Sequence, residues 1–401
     1  MSYQESPETG FIDVGEWQVA FDLRTGQALK EPAMEHKALP AIMRRLPFPG
    51  DLSTRSASWV TDLALEMNRL YNPSLMLLIH AGISFKTMYG EASAFATELE
   101  RVHAEIERFI ASSGLDCIIL GLGNLVRVER FVDLSSLDGL GLGSGFPSSY
   151  AGVYRPSSRD MDYLRGSNEV IRTVGREDFR ALFGGSDDFY ERFPDYFLEL
   201  ADGYTIKGFG IPARQPSHMP RKDDSLPLAT SGESPEHLSS ITDLKNYLNR
   251  ATRAGKRMAL ILVEGLGTKG FPWRYRAIDN TLDWFRYPLG DAQYLALSSG
   301  KHMTEHGHPP CLRYYMEDDL YPYSGIFNEL PSGLIGQEVA GLSIAVGNRS
   351  IYTHACLGAD ITIECFARTL YNYGTLAVLR RSDPARDTGK PGAKGGERYA
   401  S

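Results

Sequence analysis

Residues 75–120 read LMLLIHAGISFKTMYGEASAFATELERVHAEIERFIASSGLDCIIL, and their spacing sets the fold class. Leu75–Ile79 is a short continuous apolar run, the pattern of a strand buried on both faces. Between residues 91 and 113, Phe95, Leu99, Val102, Ile106, Phe109 and Ile110 recur at helical spacing, with Glu98, Glu100, Arg101, Glu105 and Glu107 mostly opposite. Gly114 stops the helix, and Asp116–Leu120 is a second buried run. Strand, helix and strand in that order make a βαβ unit, which implies a parallel sheet with a right-handed crossover. The second run ends in Gly121-Leu122-Gly123-Asn124, at the carboxyl end of a strand, where open α/β sheets bind ligands.

Outward from this unit, Trp59, Leu63, Leu65, Met67 and Leu70 predict a helix from Ser56 to Asn72-Pro73. Residues 10–30 flank an Arg-Thr-Gly turn with aromatic and β-branched residues, as a small hairpin does. A glycine-rich turn (Gly139 to Gly145) and short aromatic-rich elements follow, and the polar stretch Ser217–Pro235 reads as an exposed loop or linker. Helical spacing returns over 236–254 and leads into a third buried run, Met258–Val263, ending in Glu264-Gly265-Leu266-Gly267. Ile361–Glu364 and Leu376–Leu379 read as strands with a helical stretch between them. The expected fold is α/β: a mostly parallel central sheet flanked by helices, with a small N-terminal β element and irregular insertions. Its expected parts are an extension over 1–50, an α/β region over 51–235, a second over 236–380 on the same or an adjoining sheet, and a disordered tail over 381–401.

The chain of 401 residues carries a formal charge of −8, which disfavours nucleic acid as a partner. The basic helix end at NRATRAGKR is explained by the helix dipole. No apolar run approaches the roughly 20 residues that span a bilayer. The N-terminus MSYQESPETG lacks a secretory pattern, and the four cysteines show no Cys-x-x-Cys spacing. Cys117 and Cys365 lie in apolar segments and read as core thiols. The expectation is a reduced, cytoplasmic protein. Walker A, dinucleotide-binding and esterase-elbow signatures are absent, so no organic cofactor is indicated.

Three segments carry candidate chemistry. His302, His306 and His308 have metal-ligand spacing, and Asp318 follows; Zn or Mg/Mn would be the divalent ion. Arg349, Ser350, Thr353 and His354 gather an anion-binding guanidinium, two hydroxyl nucleophiles and a base. Glu264, Asn124 and Asp360 are candidate substrate contacts near predicted strand ends, and His218 stands in a basic run with Arg214, Arg221 and Lys222.

Two stretches resemble the alkaline-phosphatase superfamily of metal-dependent phospho- and sulfo-hydrolases. One is the helix–strand–HAGISFKTMYG–helix–strand–GLGN order of 62–125; the other is ADGYTIKGFG…SHMPRKDDSLPL at 201–228, where His218 would match a metal-binding histidine. The family's Asp and His are missing from ISFKTMYG, its Asp-His pair is replaced by Gly123-Asn124, and its metal-binding Asp has its nearest look-alike in Glu264. The resemblance implies an α/β sheet and chemistry at a phosphate-like centre.

The leading expectation is therefore an enzyme that hydrolyses, or transfers a group from, a small anionic substrate, with metal assistance as one version. Its rival is a non-catalytic α/β interaction or assembly protein, a homo-oligomer included, motivated by 21 Tyr and 18 Phe.

Overall fold

The three apolar runs do become neighbouring strands, in an order their sequence positions do not suggest. The computed structural model describes residues 10–13, 20–22, 28–29, 42, 44–50, 52–90, 94–143, 147–191, 193–207, 215–232, 237–287, 291–305, 341–346, 357–365 and 375–381. The centre of the sheet runs Asp116–Gly121, Met258–Val263, Leu75–His80, Ile361–Glu364, Gly341–Val346, all parallel. Met258–Val263 thus lies between the two strands of the expected βαβ unit, and the 51–235 and 236–380 regions share one sheet.

Antiparallel strands extend both edges. Ser225–Thr230 and Arg276–Asp279 continue beyond Asp116–Gly121. Thr375–Arg381 and the N-terminal strands Gly10–Asp13, Ala20–Asp22 and Ala28–Leu29 continue beyond Gly341–Val346. Ser225–Thr230 corrects the linker reading of 217–235. Leu226, Pro227, Leu228 and Ala229 are buried there, and the polar residues around them had hidden a four-residue core segment.

Alternation along each strand sorts the core into two layers. Met76, Leu78, Ala259, Ile261, Ile361 and Ile363 face the helices Ser56–Tyr71 and Ala94–Ser113, which contribute Trp59, Leu63, Met67, Val102, Ile106 and Phe109. Leu75, Leu77, Ile79, Met258, Leu260 and Leu262 face the other way, towards the helices Leu244–Arg253 and Asp291–Ser299. Both cysteines expected in the core are buried, and burial pushes the Cys117 thiol up to about 12.

Residues 134–200, opaque in the sequence, form a four-stranded antiparallel sheet of Leu140–Gly143, Tyr150–Tyr154, Tyr196–Leu200 and Val170–Gly175. Its aromatic residues fill the space between it and the central sheet. Tyr150, Phe179, Phe193, Phe197 and Phe285 pack ring on ring with centroids 4.5–5.8 Å apart. These rings are core material and supply no partner surface. Tyr314, Tyr315, Tyr321, Tyr323 and Phe327, the expected surface group, lie outside the described residues, as do 382–401.

Among the described residues no helix is long and apolar enough to cross a membrane.

Candidate functional site

Two of the apolar runs end in an ionisable residue, and so does a third central strand. His80 is the last residue of Leu75–His80, Glu264 directly follows Val263, and Glu364 ends Ile361–Glu364. The three strands are parallel neighbours, so all three residues stand at one end of the sheet, the carboxyl end. Glu264 and Glu364 have no solvent exposure and His80 is 3% exposed. Charged groups enter such surroundings only with a proton or a partner.

Alternation divides the three. Glu264 keeps the parity of Leu260 and Leu262, and Glu364 is in register with Ile79, so both glutamates share the face that carries the Asp291–Ser299 helix. His80 keeps the parity of Met76 and Leu78 and takes the opposite face. From the helix, the buried Tyr294 hydroxyl donates to Glu264 Oε1. Burial, and after it the charge of Glu364, raises this phenol well above its ordinary range. The hydroxyl therefore stays protonated and donates to Glu264. Gln293, the residue before Tyr294, anchors the helix: its Nε2 donates to Leu122 O and Asn280 Oδ1, both at 3.2 Å.

His80 is a neutral imidazole. Burial lowers it to about 4, and its Nε2 has no hydrogen-bond partner. In the unfolded chain it takes up a proton near pH 6.5, so between 6.5 and 4 the unfolded state binds more protons than the folded one. Its contribution is complete above 6.5 and is lost as pH falls towards 4, by about 3 kcal/mol in total. Urea denaturation at pH 7, 5.5 and 4.5 is expected to show this decline, and His80→Phe to flatten it. An equal slope in both proteins would remove the assignment.

The glycine-rich turns expected to admit a ligand instead admit each other. A Cβ on Gly121 would strike the carbonyl oxygen of Leu266 and come within 2.9 Å of Pro227 Cγ. One on Gly267 would lie 2.7 Å from Asn124 N, and one on Gly265 (φ +76°) 2.9 Å from Ser84 Cα. The amides of Leu122 and Gly123 donate to Val263 O and Leu266 O at 3.0 and 3.3 Å, which ties the two turns together.

The remaining candidates scatter. Asp360 stands at the amino end of its strand, opposite Glu264, where its carboxylate accepts from Ser74 N and Leu75 N at 2.7 and 2.9 Å. Asn124 is held by Asp223, whose Oδ2 accepts from Asn124 N and Nδ2 at 2.5 and 3.0 Å. His218 lies in a strand paired with Leu125–Arg127, its Nδ1 3.0 Å from Ser217 Oγ, and burial lowers its pKa. Lys222 is no solvated member of a basic run, being 5% exposed and ion-paired.

His302 Nδ1 lies 3.0 Å from the Tyr287 hydroxyl. His306, His308, Asp318, Arg349, Ser350, Thr353 and His354 lie outside the described residues. Among the described residues no three His, Cys, Asp or Glu side chains come together as a metal site.

No protein-family model, curated protein or solved structure matches this chain. Of the four ionisable residues gathered here, the sequence singles out Glu264 as a candidate and does not single out His80, Glu364 or Tyr294. The signal for the first two was present, since each is the polar residue that ends an apolar strand run.

Proposed function

We propose that the chain is an enzyme that hydrolyses, or transfers a group from, a small anionic, phosphate-like substrate at the carboxyl end of its central sheet. One observation carries this reading: two fully buried glutamates, Glu264 and Glu364, share one face of the sheet at its carboxyl end, and the buried Tyr294 hydroxyl donates to Glu264. Hydrolysis and group transfer need a base for the nucleophile and an acid for the leaving group. A carboxylate in apolar surroundings serves as the base, and the Tyr294 phenol, held protonated, serves as the donor. The carboxyl end of a parallel sheet is where such chemistry meets its ligand. Arg349 and Ser350 follow Val346, the carboxyl-terminal residue of another parallel strand, by three and four positions, and would supply anion grip and nucleophile. The resemblance of 62–125 and 201–228 to phospho- and sulfo-hydrolases supports the same reaction class.

The test is phosphate release from a panel of phosphate mono- and diesters, with and without added Zn, Mg or Mn. Glu264→Gln and Glu364→Gln are expected to lower kcat by about 100-fold or more while keeping the far-UV spectrum. A panel on which the native chain shows no turnover, or turnover that survives both substitutions, would overturn the reading.

A further inference from the structure

A second feature of the carboxyl end lies beyond the sheet's edge, between the small antiparallel sheet and the Thr281–Arg286 hairpin. It is an open cleft of about 610 Å³, within the range of small-molecule sites. Its floor is an ion triad. Lys222 Nζ donates to Glu199 Oε1 at 3.0 Å and to Leu200 O at 2.8 Å, and Arg172 Nε donates to Glu199 Oε2 at 3.0 Å. Lys222 and Glu199 are each 5% exposed. Two cations share one carboxylate, so the triad keeps one positive charge, next to a space large enough for a ligand. The surplus charge sits on the Arg172 guanidinium, whose side chain is 47% exposed and lines the cleft, where an anion can reach it.

The cleft wall supplies the grip. The Arg172 guanidinium lies 4.6 Å over the Trp284 ring, and the Trp284 indole nitrogen is buried without a partner. Arg286, two residues after Trp284, lines the same cleft and pairs with Asp224 through Nε. Each arginine meets its acid through Nε, which leaves the Nη edge, the part that takes carboxylate or phosphate oxygens in pairs. Acids also line the cleft. Asp202 and Asp224 are 44% and 66% exposed and Asp279 and Asp283 are exposed as well, so they are screened about as much as Arg172 and Arg286, at 47% and 40%; Asp224 is paired with Arg286, and Asp202 lies 3.9 Å from Arg221 Nε.

We propose that this cleft binds a small organic anion through its phosphate or carboxylate group, with Arg172 and Arg286 as the ligating cations over the Lys222–Glu199 floor. The site is separate from Glu264, Glu364 and Tyr294, so it stands whether or not the chain turns over a phosphate ester.

The experiment is calorimetric titration of the full chain with inorganic phosphate, with malonate and, as the opposite charge, with spermidine. Phosphate or malonate is expected to bind. Arg172→Gln and Arg286→Gln should each weaken that binding about tenfold or more, and Asp283→Asn should strengthen it severalfold by removing a repulsion. Melting curves keep the result readable: if Arg172→Gln unfolds the protein, the Arg286→Gln and Asp283→Asn arms decide alone. Binding of spermidine that Asp283→Asn weakens, or no binding of either anion at millimolar concentration, would overturn the proposal.

Discussion

Glu199→Ala is expected to destabilise the protein by about 3–5 kcal/mol, seen as a lower urea midpoint at unchanged slope. The side chain is 7% exposed and is the shared acceptor of Lys222 and Arg172. Its removal leaves the Lys222 ammonium almost without water and with only Leu200 O as hydrogen-bond acceptor, beside the Tyr150 ring 5.9 Å away. The cost is the desolvation of an unpaired charge, and the net worth of the triad is a smaller and different quantity. Two variants separate them. Glu199→Gln keeps an acceptor and should lose less. Glu199→Leu combined with Lys222→Met removes both buried charges and should recover most of the stability. A double variant as unstable as Glu199→Ala would show that shape, and no charge, governs the site.

Gly121→Ala is expected to cost on the order of 3 kcal/mol or to prevent folding, although it adds one methyl group. The methyl would strike the Leu266 carbonyl oxygen and press on Pro227 Cγ at 2.9 Å and Phe271 Cε2 at 3.2 Å. A backbone carbonyl cannot swing aside as a flexible side chain does, so the 264–267 turn must move away from the sheet. Glu264 belongs to that turn. Its hydrogen bond from Tyr294 should loosen with it, and the variant should lose any activity beyond its loss of stability. Gly166→Ala is the control: like Gly121 it has no positive φ, but no atom lies within 4 Å of its added Cβ. Near-equal melting temperatures for the two variants would refute the close-packing argument.

The sequence exposed those parts of the protein that one strand or helix settles by itself. Leu75–His80, Asp116–Gly121 and Met258–Val263 are continuous apolar runs buried at every or nearly every position, and the Ala94–Ser113 helix shows its period plainly. Ser225–Thr230 escaped because only Leu226–Ala229 are buried and a proline stands among them. The Gly82–Tyr89 helix escaped because most of its positions are buried, which erases the amphipathic pattern.

The site followed the same division. Glu264 could be read from its position after Val263. Tyr294 could not, because its contact with Glu264 depends on how a helix 30 positions away in the chain lies on the sheet. Asp360 was drawn into the site by its polar neighbours, whereas strand direction puts it at the far end. The glycines were rightly placed at strand ends, but the partner of each turn is another turn.

The strand order has a consequence for how the chain reaches this structure. Leu75–His80 has Met258–Val263 on one side and Ile361–Glu364 on the other, so neither neighbour exists until most of the polypeptide has been made. Asp116–Gly121 meets Ser225–Thr230 earlier, across about a hundred residues, and after the short N-terminal strands Gly10–Asp13, Ala20–Asp22 and Ala28–Leu29 that antiparallel pair is the first part of the sheet able to close. Contacts of such long sequence separation make for slow folding. Two of the most apolar strands must therefore wait in the nascent chain, exposed to aggregation or to chaperones, until their partners emerge.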